Sequence, residues 1–90
     1  MNVTLKAVIS NLAVINFPSS ILEKGETPGR LRVGVANNEL SRLIEPDMKC
    51  QVEYPDKTLV DVRIEEISRN NGTLLLGCVP ANTNKARKSV

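Results

Sequence analysis

The chain has no histidine and no tryptophan, and Phe17 and Tyr54 are its only aromatic residues. Without histidine the commonest general base, the commonest zinc ligand and the Ser-His and Cys-His nucleophile pairs are missing. Neither G-x-x-x-x-G-K-[ST] nor G-x-G-x-x-G occurs, the five glycines being scattered, so no phosphate-cradling loop is encoded. The acidic residues do not group as metal ligands would. Glu65 and Glu66 adjoin, but neighbours on a strand face opposite sides and make a poor acid–base pair. No metal, no cofactor and no enzymatic activity are expected. Two rings are also few for a protein that holds single-stranded nucleic acid by stacking.

Cysteine is scarce too. Cys50 and Cys78 belong to no C-x-x-C pair, so neither zinc binding nor thioredoxin-type chemistry is signalled. Buried free thiols fit them, and with them a reducing compartment; a disulfide between two strands is the alternative. The apolar stretch Ala7 to Phe17 is interrupted by Ser10, Asn11 and Asn16. It makes a poor signal peptide and is too short and polar to span a membrane. The expectation is a cytoplasmic protein with no membrane contact.

Ninety residues, 41% of them apolar, hold one small core built from aliphatic side chains. The net charge of +2 conceals an asymmetry. Three of the twelve basic residues, Lys85, Arg87 and Lys88, fall in the last ten positions, leaving nine against ten acids, a net of −1, in 1–84. The organisation read from this is one domain over 1–80 and a basic, flexible tail over 81–90. Such a tail adds non-specific affinity for nucleic acid or is simply a solvated end.

The middle of the chain carries the strongest pattern. Met48, Cys50, Val52 and Tyr54 alternate with polar residues, as do Val60, Val62 and Ile64, around the turn Pro55-Asp56-Lys57. Both apolar sets share one face only if Val52 lies opposite Val60 and Cys50 opposite Val62, which requires a three-residue loop; a two-residue loop turns one set to water. On the other face this register sets Gln51 against Asp61 and Lys49 against Arg63, a like-charge pair that costs stability unless something anionic lies over it. Glu65-Glu66 breaks parity before Ile67 and predicts a bulge. Asn71-Gly72 predicts a type I′ hairpin leading into Leu74-Leu75-Leu76, a strand covered on both faces or presenting Leu75 and Val79 to a partner.

Upstream, Val3, Leu5, Ala7 and Ile9 form a first strand. A bulge or tight bend near Ser10-Asn11 accounts for the changed parity beyond it, and Pro18 ends the run. Ser19 to Gly29 reads as an exposed loop anchored by Ile21 and Leu22. Leu31, Val33 and Val35 point inward from a strand over 30–35, with Arg30 and Arg32 outward. Asn37 or Asn38 caps a short helix near Asn38 to Glu45, its face formed by Leu40, Leu43 and Ile44, which Pro46 stops.

The run Leu40-Ser41-Arg42-Leu43-Ile44-Glu45-Pro46-Asp47-Met48-Lys49-Cys50-Gln51-Val52-Glu53-Tyr54-Pro55-Asp56 resembles the β-barrel domain of periplasmic adaptor subunits. In that family a short helix, a proline turn and an alternating strand follow one another. The match covers under a third of the chain, and Asp47 stands where the turn usually has glycine. Ile67-Ser68-Arg69-Asn70-Asn71-Gly72 is similar to the PilZ cyclic-dinucleotide barrel, but that family's R-x-x-x-R motif has no counterpart, since Arg30-Leu31-Arg32 has another spacing. Neither resemblance transfers a site residue.

The expected fold is all-β: a small, mostly antiparallel barrel of five or six strands, OB-like or SH3-like, with one short helix. Its expected function is binding. One candidate surface is Arg30, Arg32, Lys49 and Arg63 with the tail residues Lys85, Arg87 and Lys88, contacting nucleic-acid phosphates in a salt-sensitive, weakly sequence-specific way. The alternative is a protein-interaction or homo-oligomer module using the apolar positions Leu59, Leu75 and Val79.

Overall fold

The computed structural model describes residues 1–9, 13–27 and 29–81. Six strands form a closed antiparallel barrel: β1 (Asn2–Ile9), β2 (Ala13–Lys24), β3 (Leu31–Ala36), β4 (Lys49–Glu53), β5 (Leu59–Asn70) and β6 (Thr73–Pro80), in the spatial order β1-β2-β3-β6-β5-β4. The expected all-β barrel is therefore present, and it closes where β1 pairs with β4. The expected tail, with Lys85, Arg87 and Lys88, lies outside the described residues apart from Ala81.

Inward positions are those that alternation requires. Leu5, Ala7, Val33, Val35, Val52, Val62, Ile64, Leu74 and Leu76 are buried in one aliphatic core, joined by Phe17, Ile44 and both cysteines. Ser19 also points inward, and its Oγ donates to the Phe17 carbonyl at 2.7 Å, so the buried hydroxyl is satisfied within its own strand.

The β4–β5 hairpin has the predicted register, Val52 opposite Val60, Cys50 opposite Val62, and Lys49 opposite Arg63. Its loop is a tight turn closed by Lys57 N–H to the Tyr54 carbonyl at 2.8 Å and Tyr54 N–H to the Thr58 carbonyl at 2.9 Å. Lys57 takes φ +75°, the left-handed residue that completes a three-residue hairpin loop. The predicted bulge appears as a register shift between Ile64 and Glu66. Asn71 (φ +33°) and Gly72 (φ +81°) make the two-residue turn into β6.

Three local expectations are corrected. Ser19 to Lys24 is not loop but the second half of β2, and Pro18 sits inside the strand. The reason lies in hydrogen-bond direction. Ile21 N–H bonds the Met1 carbonyl at 2.9 Å, so odd-numbered β2 residues face β1 and even-numbered ones face the opposite edge. The amide hydrogen that Pro18 lacks would point to that edge, where β3 pairing begins only at Ser19–Val35. Pro18 therefore stops the β2–β3 ladder without stopping the strand. Ile21 packs against the core, whereas Leu22 is the extra residue of a second register shift, exposed above Gly34.

The single-strand reading across Ser10-Asn11 also changes. Those residues lie outside the described set, but Ile9 and Ala13 are antiparallel partners, so the chain reverses between them. The short helix is only a 3-10 turn, Leu40–Leu43. Asn38 caps it, its Oδ1 accepting the Ser41 N–H at 3.0 Å, while the buried Ser41 Oγ donates to the Asn38 carbonyl at 2.8 Å. A 3-10 turn places side chains three apart in line, not on a wide face, so Leu40 and Leu43 are exposed and Ile44 alone of the three enters the core.

Candidate functional site

Of the cations that the sequence singles out, Arg30, Arg32, Lys49 and Arg63 fall in two neighbouring rows of the barrel's outer face, and Lys85, Arg87 and Lys88 lie outside the described residues. Leu31 pairs with Cys78, Val79 with Arg63 and Arg63 with Lys49, so one row across the outer face reads Arg30, Val79, Arg63, Lys49. Arg32 lies in the next row, beside Gly77, which pairs in turn with Glu66. The Arg30 side chain crosses Gly25, whose missing Cβ would stand 2.9 Å from its Cγ.

Counter-charges occupy half of this set. Arg63 Nη1 lies 3.1 Å from Asp47 Oδ1, and Arg32 Nε lies 3.4 Å from Glu23 Oε1. The like-charge pair Lys49–Arg63, read from the sequence as uncompensated, is thus not bare. Asp47 lies against it, held at φ +71° by a turn conformation that favours glycine but tolerates aspartate. Asp47 supplies the missing anion. Among the described residues, Arg30 and Lys49 have no carboxylate within ion-pair distance.

A groove of about 550 Å³ runs beside Arg32 and holds Lys24, Arg30 and Arg32 together with Glu23, Glu65 and Glu66. Its cations and carboxylates are equal in number, so its field largely cancels. Both Glu65 and Glu66 border it, because the bulge between Ile64 and Glu66 overrides the strict alternation assumed for them. Phe17 is buried in the core, and Tyr54 carries the Lys24 ammonium 5.8 Å from its ring centre, a geometry of cation–π attraction.

Of the three apolar candidates, Leu59 is exposed and Leu75 half-buried, but Val79 is only 3% exposed and cannot meet a partner. Gly29, at φ +93°, brings the 25–30 loop down on the end of β6, its missing Cβ only 3.1 Å from Pro80 Cα. The loop closes through Gly25 N–H to the Arg30 carbonyl at 2.7 Å.

The structure adds a surface that the sequence reading missed. β1 pairs with β4 only over Thr4–Ala7, and β2 pairs with β3 only over Ser19–Lys24. Among the described residues, Val8 and Ile9 therefore pair only with Val14 and Ala13, an arm extending past the β1–β4 ladder, while Ile15–Pro18 pair with Thr4–Ala7 on one side and have no strand on the other. Val8 and Val14 face each other on its outer side and are 52% and 55% exposed. One signal was present: Ala7 to Leu22 is the longest stretch of the chain without a charged residue.

Two further observations bear on chemistry. Burial pushes the Cys50 thiol up to about 11 and the Cys78 thiol up to about 12, the latter helped by the charge that Cys50 would carry nearby. Both stay protonated, unreactive thiols at neutral pH. Among the described residues no three His, Cys, Asp or Glu side chains gather where a metal ion could sit, and no helix is long and apolar enough to cross a membrane.

The chain matches no family model, and no curated protein or solved structure matches it. The functional reading rests on the surfaces just described.

Proposed function

We propose that this barrel is a non-enzymatic binding module that works by assembly with protein, the contact made by the β1–β2 arm. The observation that carries this reading is the exposed pair Val8–Val14, which among the described residues lies beyond both the β1–β4 and the β2–β3 ladders. β-branched side chains on an uncovered sheet edge are costly to leave in water and prone to pair with another chain.

The reading gains support from what the basic surface does internally. Arg32 and Arg63 already hold carboxylates, and the adjoining groove balances its charges. Neither ring offers a free stacking platform. A second reading, nucleic-acid binding, is favoured by one observation: Arg30, Arg63 and Lys49 lie in a single cross-strand row, a spacing suited to phosphates.

Fluorescence anisotropy with labelled single-stranded DNA, duplex DNA and RNA separates the two, using the full chain and a form ending at Ala81. The assembly reading expects no binding by the shortened form at low salt. Salt-sensitive binding by that form, abolished by Arg30→Glu with Arg32→Glu, overturns it in favour of phosphate contact. Binding seen only with the full chain would belong to the basic tail.

A further inference from the structure

Resting on the assembly reading, we infer that the arm's occupant is a second copy of this chain, joined by antiparallel pairing of β2 with β2 about a two-fold axis beside Ile15.

The free edge sets the register. Even-numbered residues of β2 direct their amides and carbonyls away from β1, as the Ile21–Met1 bond and the continuous β1–β2 register require. Val14 and Asn16 thus carry the unpaired groups of this edge, and Pro18, with no N–H, closes its barrel end. In an antiparallel self-pairing these two exchange hydrogen bonds, Val14 with Asn16 of the second copy and Asn16 with its Val14. Ile15 then meets its own equivalent across the axis as a non-hydrogen-bonded pair, where side chains come closest. The two-fold makes the contact isologous and self-limiting, so it yields a closed dimer and not a fibre.

Charge identifies the occupant. A strand pairing with its own copy sets any charge near the axis against a like charge. β1 carries Lys6, β3 Arg32, β4 Lys49 and Glu53, and β5 a run of both signs. Only β6 and the arm segment Ala13–Pro18 carry none, and β6 is already enclosed between β3 and β5. Edges meant to stay solvated are guarded by lysine, by inward charge or by proline. Here Pro18 guards only the barrel end, and the Lys6 ammonium, which donates to Asn16 Oδ1 at 3.5 Å, belongs to β1 and is paired with Glu53, so the edge from Val14 to Asn16 carries no charge of its own.

The test uses charges placed to report on the register. Val14→Lys with Asn16→Lys sets two like-charged pairs across the axis; Val14→Lys with Asn16→Glu sets two opposite pairs. Sedimentation from micromolar to millimolar protein should show a monomer–dimer equilibrium for the wild type. The Lys/Lys form should dissociate with a constant raised by roughly tenfold, two unfavourable cross-strand pairs acting together. The Lys/Glu form should return to wild-type dimerisation or better. Both side chains are exposed, and circular dichroism should report an intact barrel in each form. In parallel, Ile15→Cys should give a disulfide-linked dimer on oxidation, which the wild type, with both thiols buried, should not. Identical behaviour of the Lys/Lys and Lys/Glu forms overturns the register. A wild type that is monomeric throughout overturns the second-copy inference; if it also binds no nucleic acid, the assembly reading stands with another protein on the arm.

Discussion

Asp47→Asn isolates the charge that holds the Lys49–Arg63 pair together. Asparagine accepts a left-handed backbone as readily as aspartate, so the φ of +71° at this turn is kept and only the anion is lost. The contact that loses its charge is Arg63 Nη1 to Asp47 Oδ1 at 3.1 Å, with the arginine side chain 17% exposed and the aspartate 83%. An ion pair at this depth is worth about 0.2–1 kcal/mol, and a directly opposed like-charge pair left without its counter-ion costs about as much again. The expected loss is therefore about 1 kcal/mol at low ionic strength, a fall in Tm of roughly 4–8 °C for a domain of this size. Thermal unfolding followed by circular dichroism at two salt concentrations provides the assay. Raising salt from 0.01 M to 1 M shortens the screening length from about 30 Å to about 3 Å, so the loss should shrink by at least half. In a Lys49→Gln background, where no repulsion remains to be unmasked, it should also be smaller. A loss that is the same at both salts and in both backgrounds would falsify the electrostatic account and assign Asp47 a purely backbone role.

Three further outcomes follow from the geometry. Lys57→Gly should stabilise the barrel by roughly 0.5–1 kcal/mol by removing a left-handed lysine, net of the entropy glycine adds to the unfolded chain, whereas Lys57→Ala should change little; urea unfolding measures both. Ile64→Val, at a fully buried core position, should cost about 0.5–1.5 kcal/mol and Ile64→Ala about 2–5 kcal/mol, read from the same urea midpoints. Because both thiol pKa values are raised in the folded state, to about 11 and about 12 from an ordinary 9.0, their contribution is complete below pH 9 and lost as pH climbs through 11 to 12. The urea midpoint should fall over that window, and replacing Cys50 and Cys78 with alanine should flatten the fall.

The register of β4 against β5 was legible because two alternating runs flank a turn of definite length, and only one pairing keeps both apolar sets on one side. The same logic located the bulge at Glu65 and the reversal at Asn71-Gly72. Pro18 misled because its meaning depends on which edge its missing N–H faces, a fact of pairing and not of composition. Leu40 and Leu43 matched a helical period, yet two turns bounded by Asn38 and Pro46 are too short for an amphipathic helix to be secured by propensity alone. Val79 has the parity of a surface residue yet is buried at the end of β6, where Gly29, fifty positions earlier in the chain, lies against the neighbouring Pro80. Arg30, Arg32, Lys49 and Arg63 do face outward, but the pairing of Arg32 with Glu23 and of Arg63 with Asp47 was hidden, since one partner sits on another strand and the other in a turn. The arm was missed because an apolar strand is presumed to be core until the ladders beside it are known.

The order of the strands constrains how the barrel is made. β6 is sixth in sequence but lies between β3 and β5. It meets β5 through a two-residue turn, a local event on the microsecond scale, but must then find β3 across the whole intervening chain. Until it does, β3 and β6 both present bare hydrogen-bonding edges, and Leu74 and Leu76 have no core to enter. Closure is thus a late, non-local step of the kind that slows all-β domains into the millisecond-to-second range. The interval before closure is the one in which this chain is most open to pairing with the wrong strand. The form most exposed to aggregation is accordingly a chain whose β5–β6 hairpin has not docked on β3.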